Sequence, residues 1–190
     1  MVIPGFLAND RTTMELRRAL AEAGFRVHPW RQGMNWGARS DTLERLRRAV
    51  DQCGHDEPML LVGWSLGGLY AREIARAEPQ RVRAVVTLGS PVWGDRRRYT
   101  NVWKLYERVA RHPVDDPPIS DRPEKPPVPT LAIWGSRDGI VGAPSARGTE
   151  ETRDKAVEIR STHMGLAVSR PITRRVAAEI RTFLTETERA

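Results

Sequence analysis

Ser65 stands two residues from a glycine on either side, in Gly63-Trp64-Ser65-Leu66-Gly67-Gly68, where an apolar run hands over to a helix-like one. A serine hydroxyl can attack a carbonyl carbon when a base takes its proton and a carboxylate holds that base. The spacing has a steric meaning. A strand-to-helix turn sharp enough to lift the hydroxyl above the strand ends strains the serine backbone. Side chains two residues away would then strike the strand and the helix, and glycines remove that collision. Helix N–H groups behind the serine also face any developing negative charge. As a bare pattern, a glycine-rich turn with an incidental serine competes; the strand–turn–helix context favours the nucleophile. Nucleotide binding fits less well, because there is no Walker lysine and no GxGxxG spacing.

Four histidines could serve as the base. His28 lies in or at the end of a strand upstream of Ser65, and His55 sits in the polar turn 54–57. His112 closes a helix, where a cation at the C-terminus is its own explanation. His163, in Ser161-Thr162-His163-Met164-Gly165, follows the last strand and precedes the last helix, at the same sheet end as Ser65. For the carboxylate, Trp134-Gly135-Ser136-Arg137-Asp138-Gly139 ends a buried strand and delivers Asp138 beside the neighbouring crossover. A plain Asp-Gly turn is the rival reading of Asp138. Asp115, Asp116 and Asp121 lie in a proline tract with no rigid element to aim them. A histidine base predicts activity that falls below pH ~6.5, where a free imidazole protonates.

These residues need a scaffold, and short β-rich runs alternating with helix-period segments supply one. Strands are expected at 1–4, 25–30, 59–63, 82–88, 130–134 and 156–160, and helices at 12–23, 41–53, 66–77, 100–112 and 172–186. Asp41 with Glu44 has the spacing of a capping box. Such alternation argues for an α/β fold, an open parallel sheet of about six strands with helices on both faces. Seven prolines between 113 and 129 exclude a continuous helix or central strand there. The chain is therefore expected to be one domain, 1–190, with 91–129 as a small cap or lid insertion.

The formal charge is +7, but only three of the 31 basic residues are lysine. That skew spreads over all surfaces. The densest run, Arg96-Arg97-Arg98, reads as a solvated loop, so no nucleic-acid partner is expected. One cysteine, Cys53, excludes an internal disulfide. No stretch reaches the ~18 apolar residues of a membrane span. The first residues lack a basic region and an apolar core, which makes the cytoplasm the expected compartment.

Gly-Trp-Ser-Leu-Gly-Gly, the strand-ending Gly-Ser-Arg-Asp-Gly-Ile-Val and the Thr-His-Met-Gly-Leu loop together resemble the α/β-hydrolase superfamily, most of all its small bacterial esterases and lipases. Ser65, Asp138 and His163 fall in its chain order. The resemblance implies the sheet order 2-1-3-4-5-6. It also implies an oxyanion loop at Pro4-Gly5-Phe6-Leu7, where the Phe6 N–H joins that of Leu66, each donor being worth ~3 kcal/mol in the transition state. Two strands that usually come first are not seen ahead of Met1. The chain is thus either a minimal version of the fold or lacks residues upstream.

The expected activity is hydrolysis of a small-molecule or lipid ester through an acyl-enzyme, with no metal or organic cofactor required. Trp64, Trp93 and Trp36 are candidates for an apolar acyl pocket, and the 100–112 helix for a partial lid. An acyltransferase or thioesterase would use the same three groups. A non-catalytic ligand-binding scaffold is the alternative from another class.

Overall fold

Runs such as Val82-Arg83-Ala84-Val85-Val86-Thr87-Leu88 are apolar without alternation, as strands buried on both faces require. In the computed structural model, which describes residues 1–53, 57–119 and 122–189, five such runs form one parallel sheet. The strands are β1 (Val2–Ile3), β2 (Met59–Trp64), β3 (Val82–Leu88), β4 (Thr130–Gly135) and β5 (Lys155–Ile159), adjacent in chain order. His55 and Asp121 lie outside the described residues.

Helices α1 (Met14–Glu22) and α2 (Thr42–Asp51) connect β1 to β2, and α3 (Leu66–Ala77) connects β2 to β3. Next come α4 (Arg96–Tyr99), α5 (Trp103–Ala110), α6 (Ala143–Arg147), α7 (Gly165–Val168) and α8 (Arg170–Thr187). Neighbouring strand residues point to opposite faces, which divides the core in two. Val62, Val86 and Ile133 pack with Leu16 of α1 and Ile180 of α8. Leu61 and Val85 pack with Val50 of α2 and Ile74 of α3. No helix among the described residues is long and apolar enough to cross a membrane.

The sheet has five strands where the sequence suggests about six. Residues 25–30 run beside β1 yet contribute only one bridge, between Val2 and Pro29, with Val2 N–H donating to His28 O at 2.9 Å. Pro29 has no N–H to donate. The next two amides, Trp30 and Arg31, turn instead to the Asp10 carboxylate at 3.1 Å each. The segment keeps the expected place outside β1 and loses the ladder.

Two helix expectations also change. Asp41 caps nothing with its side chain, and Glu44 pairs with Arg48 instead of reaching back. The 100–112 helix is shortened to α5, because Thr100 bridges Val141 before it begins; the short α4 ahead of it, which Asp95 caps by accepting from the Arg97 and Arg98 amides, lies outside that range. Arg97 meets Asp115 at 2.6 Å and Glu107 at 3.0 Å, so this basic run is partly neutralised on its own surface.

The proline tract is tied down from below. Arg72 on α3 is 2% exposed and donates to Thr152 O, Pro123 O and Glu124 O at 2.6–2.8 Å. A buried guanidinium that satisfies three loop carbonyls fixes the segment without regular structure.

Candidate active site

The elbow is as sharp as its glycines imply. Ser65 has φ 54° and ψ −124°, a conformation that costs a non-glycine residue of order 1–3 kcal/mol. A Cβ on Gly63 would overlap the Gly67 carbonyl, and one on Gly67 would overlap the Ile3 carbonyl, so strand, turn and helix touch backbone to backbone. Ser65 N–H donates to Leu88 O at 2.8 Å, which locks the elbow to the end of β3.

The next residue along β3 leads to the other two groups. A Cβ built on Gly89 would lie 3.0 Å from Asp138 Oδ2 and 3.2 Å from His163 Nδ1. Asp138 Oδ2 and His163 Nδ1 are 2.7 Å apart, with side chains 1% and 7% exposed. Asp138 Oδ1 accepts from the Ile140 and Val141 amides at 2.9 Å each. The loops after β4 and β5 are joined where Arg137 N–H donates to Ser161 O at 3.1 Å. Ser65 and His163 are linked through Trp64, whose Nε1–H donates to His163 O at 3.1 Å and whose ring centroid lies 5.4 Å from the imidazole. Among the described residues no hydrogen bond joins the serine hydroxyl to the imidazole. Catalytic hydrogen bonds in ligand-free sites often tighten only once substrate is bound.

The Pro4-Gly5-Phe6-Leu7 loop crosses directly over the elbow: a Cβ on Gly5 would come within 2.9 Å of Ser65 Cβ. The Phe6 and Leu66 N–H groups have no hydrogen-bond acceptor among the described residues. Both are spare donors beside the serine. Buried Asn35, which its sequence context did not single out, bonds to this loop through both its side chain and its backbone. The available signal was its place between Gly33 and Gly37.

Ser65 opens into a cavity of about 70 Å³, whose walls include Phe6, Leu69, Val102, Trp103, Tyr106 and Ile119. None of the three expected tryptophans lines it. Trp64 is 3% exposed and belongs to the core. Trp93 packs on Tyr99, with ring centroids 6.2 Å apart. Trp36 is 49% exposed on the outer surface. The walls come instead from α5 and the proline tract. Over the cavity stand Val102, which precedes α5, and Trp103 and Tyr106 of α5, while Leu105 is 47% exposed. Tyr106 packs edge-on against Phe6 at 5.1 Å and accepts from the Ala38 amide at 3.2 Å. Of the other histidines, His112 sits past the end of α5 beside Tyr106, and His28 bonds β1 through its carbonyl. No group of three or more His, Cys, Asp or Glu side chains that could hold a metal ion occurs among the described residues.

The family model for the alpha/beta hydrolase fold matches residues 34–111. The pimeloyl-[acyl-carrier protein] methyl ester esterase of Salmonella heidelberg is 41% identical over 58 residues, 30% of this chain and 22% of that protein. The matched segment thus spans about a fifth of the curated relative's length. Among solved structures, an alpha/beta hydrolase enzyme from the metagenome of Mar Chica lagoon sediments has a TM-score of 0.67 and 18% identity, covering 98% of this chain and 90% of that one. The Paleococcus ferrophilus monoacylglycerol lipase has a TM-score of 0.64 and 16% identity, covering 97% and 93%. At such identities the likeness is one of fold.

Proposed function

We propose that this chain, which has the alpha/beta hydrolase fold, belongs to the α/β-hydrolase superfamily and is a serine hydrolase cleaving carboxylic esters. One observation carries the reading: a buried Asp138–His163 pair 2.7 Å apart, at the end of the strand that anchors a serine with φ 54°. The apolar cavity at Ser65 supports an acyl group as the bound moiety. The curated relative's name, a methyl ester esterase, supports an ester over an amide.

In the proposed reaction Asp138 keeps the proton on His163 Nδ1, which leaves Nε2 to accept. Ser65 Oγ attacks the ester carbonyl carbon as His163 Nε2 takes its proton. The oxyanion forms against the Phe6 and Leu66 N–H groups. Collapse breaks the bond to the alcohol oxygen, which leaves with the proton from His163. A water then gives a proton to His163 as it attacks the acyl carbon; the bond to Ser65 Oγ breaks, Ser65 Oγ takes that proton back from His163, and the acid leaves. Residues 91–129 act as a small cap that supplies the cavity wall and keeps water from the acyl chain.

Nitrophenyl esters of increasing acyl length test the proposal. Saturable hydrolysis with an initial burst of nitrophenol, lost in Ser65→Ala, is expected. Release no faster than from Ser65→Ala at every chain length would refute it.

A further inference from the structure

Asn35 is 2% exposed and makes hydrogen bonds on every side. Its Nδ2 donates to Pro4 O at 2.9 Å. Its backbone N–H donates to Ala8 O at 2.9 Å, and its carbonyl accepts from Leu7 N–H at 2.8 Å. Its Oδ1 accepts from Gly37 N–H at 3.2 Å and from the Tyr70 hydroxyl at 3.3 Å. Three of these contacts bracket Phe6, gripping the loop just before and just after it. The Tyr70 contact reaches α3 one helical turn beyond Leu66, on the same face.

A single side-chain amide therefore ties the loop carrying one spare N–H to the helix carrying the other. The two donors lie on chain segments about sixty residues apart, and the distance between them decides whether both can reach one oxygen. The work asked of the side chain needs a donor and an acceptor in one short plane. Aspartate offers no donor to Pro4 O when ionised. Alanine offers nothing to either segment.

We infer that Asn35 is a positioning residue of the oxyanion site, setting the spacing between the Phe6 and Leu66 N–H groups. The inference rests on the serine-hydrolase reading. It goes further by assigning the geometry of the oxyanion site to a residue that touches no substrate.

Asn35→Ala and the isosteric Asn35→Asp are compared with Ile180→Ala, a core truncation on α8. The readouts are thermal unfolding, kcat and KM with nitrophenyl butyrate, and inhibition by a trifluoromethyl ketone, whose adduct with Ser65 carries an oxyanion. Both Asn35 variants are expected to lose about 100-fold in kcat with KM within about twofold, and to weaken ketone binding by the same factor. Ile180→Ala is expected to lose thermal stability and keep kcat. Folded Asn35 variants with unchanged kcat and ketone affinity, or a loss confined to KM, would overturn the inference. So would a kcat loss shared by Ile180→Ala.

Hydrogen exchange separates this inference from the reading beneath it. Amides of Phe6 and Leu7 are expected to exchange at least about tenfold faster in Asn35→Ala, with α8 amides unchanged. An inactive wild type that shows this change would end the hydrolase reading and leave the loop assignment standing. Unchanged exchange would end the assignment even in an active enzyme.

Discussion

Asp138 Oδ2 lies 2.7 Å from Nδ1 of His163, and the second carboxylate oxygen is taken up by the amides of Ile140 and Val141. The carboxylate is held from one side by backbone and holds the imidazole from the other. Asp138→Asn keeps this shape but turns an N–H toward Nδ1, so the imidazole must carry its proton on Nε2 and can no longer accept from Ser65. A fall in kcat of about 10⁴-fold with little change in thermal unfolding is expected. Steady-state kinetics with nitrophenyl butyrate check it, and a loss below tenfold would remove Asp138 from the mechanism.

The elbow glycines differ from the turn glycine after the acid. Gly63→Ala drives a Cβ into the Gly67 carbonyl, whereas a Cβ on Gly139 meets nothing within 4 Å. Gly63→Ala is expected to cost about 3 kcal/mol of stability through overpacking. Gly139→Ala is expected to stay within about 0.5 kcal/mol of wild type. Denaturant unfolding of the two variants measures both. Equal midpoints would mean that the elbow is looser than its contacts imply.

The cavity wall makes a prediction about acyl length. Ile119→Trp adds bulk to the space beside Ser65. It is expected to lower kcat/KM for nitrophenyl octanoate by about tenfold or more while leaving the acetate within about threefold. Trp36→Ala, on the outer surface, is expected to change neither. Equal losses on both esters in Ile119→Trp would separate this cavity from acyl binding.

The parts legible in the sequence were those in which chemistry and local backbone constrain the same few residues. Gly63, Ser65 and Gly67 specify a turn that allows few other side chains, and α3 begins and ends where the pattern suggests, at Leu66 and Ala77. Asp138 and His163 follow strands directly, so topology alone brings them to one sheet end. The cavity at Ser65 was harder to read because its walls come from tertiary placement. The prolines of 113–129 forbid a helix but do not say which face the tract covers. That choice is made by Arg72, a buried cation that looks in sequence like one more arginine of a basic chain. Trp64 lies in the core and not in the cavity wall, since the strand residue next to Ser65 alternates into the core. Residues 25–30 have strand composition, but Pro29 and the Asp10 carboxylate take away the hydrogen bonds that a ladder needs.

Tyr70 gives the fold an alkaline limit. Burial, the largest influence, pushes its phenol well above the ordinary value of 10.0. The folded chain therefore keeps a proton that the unfolded chain gives up near pH 10. Tyr70's contribution is complete below that value and is lost as pH rises from there toward the folded pKa. Denaturant midpoints measured from pH 9 to above pH 11 are expected to fall less steeply in Tyr70→Phe than in wild type. Parallel slopes would show that another group sets the limit.

The central claim is that Ser65 is a nucleophile activated by His163, and the most direct measurement is the site and rate of labelling by a fluorophosphonate. The account predicts one adduct per chain, on the peptide containing Ser65, forming at least about 10³-fold more slowly in His163→Ala. No adduct, an adduct on another residue, or an unchanged rate in His163→Ala would contradict it.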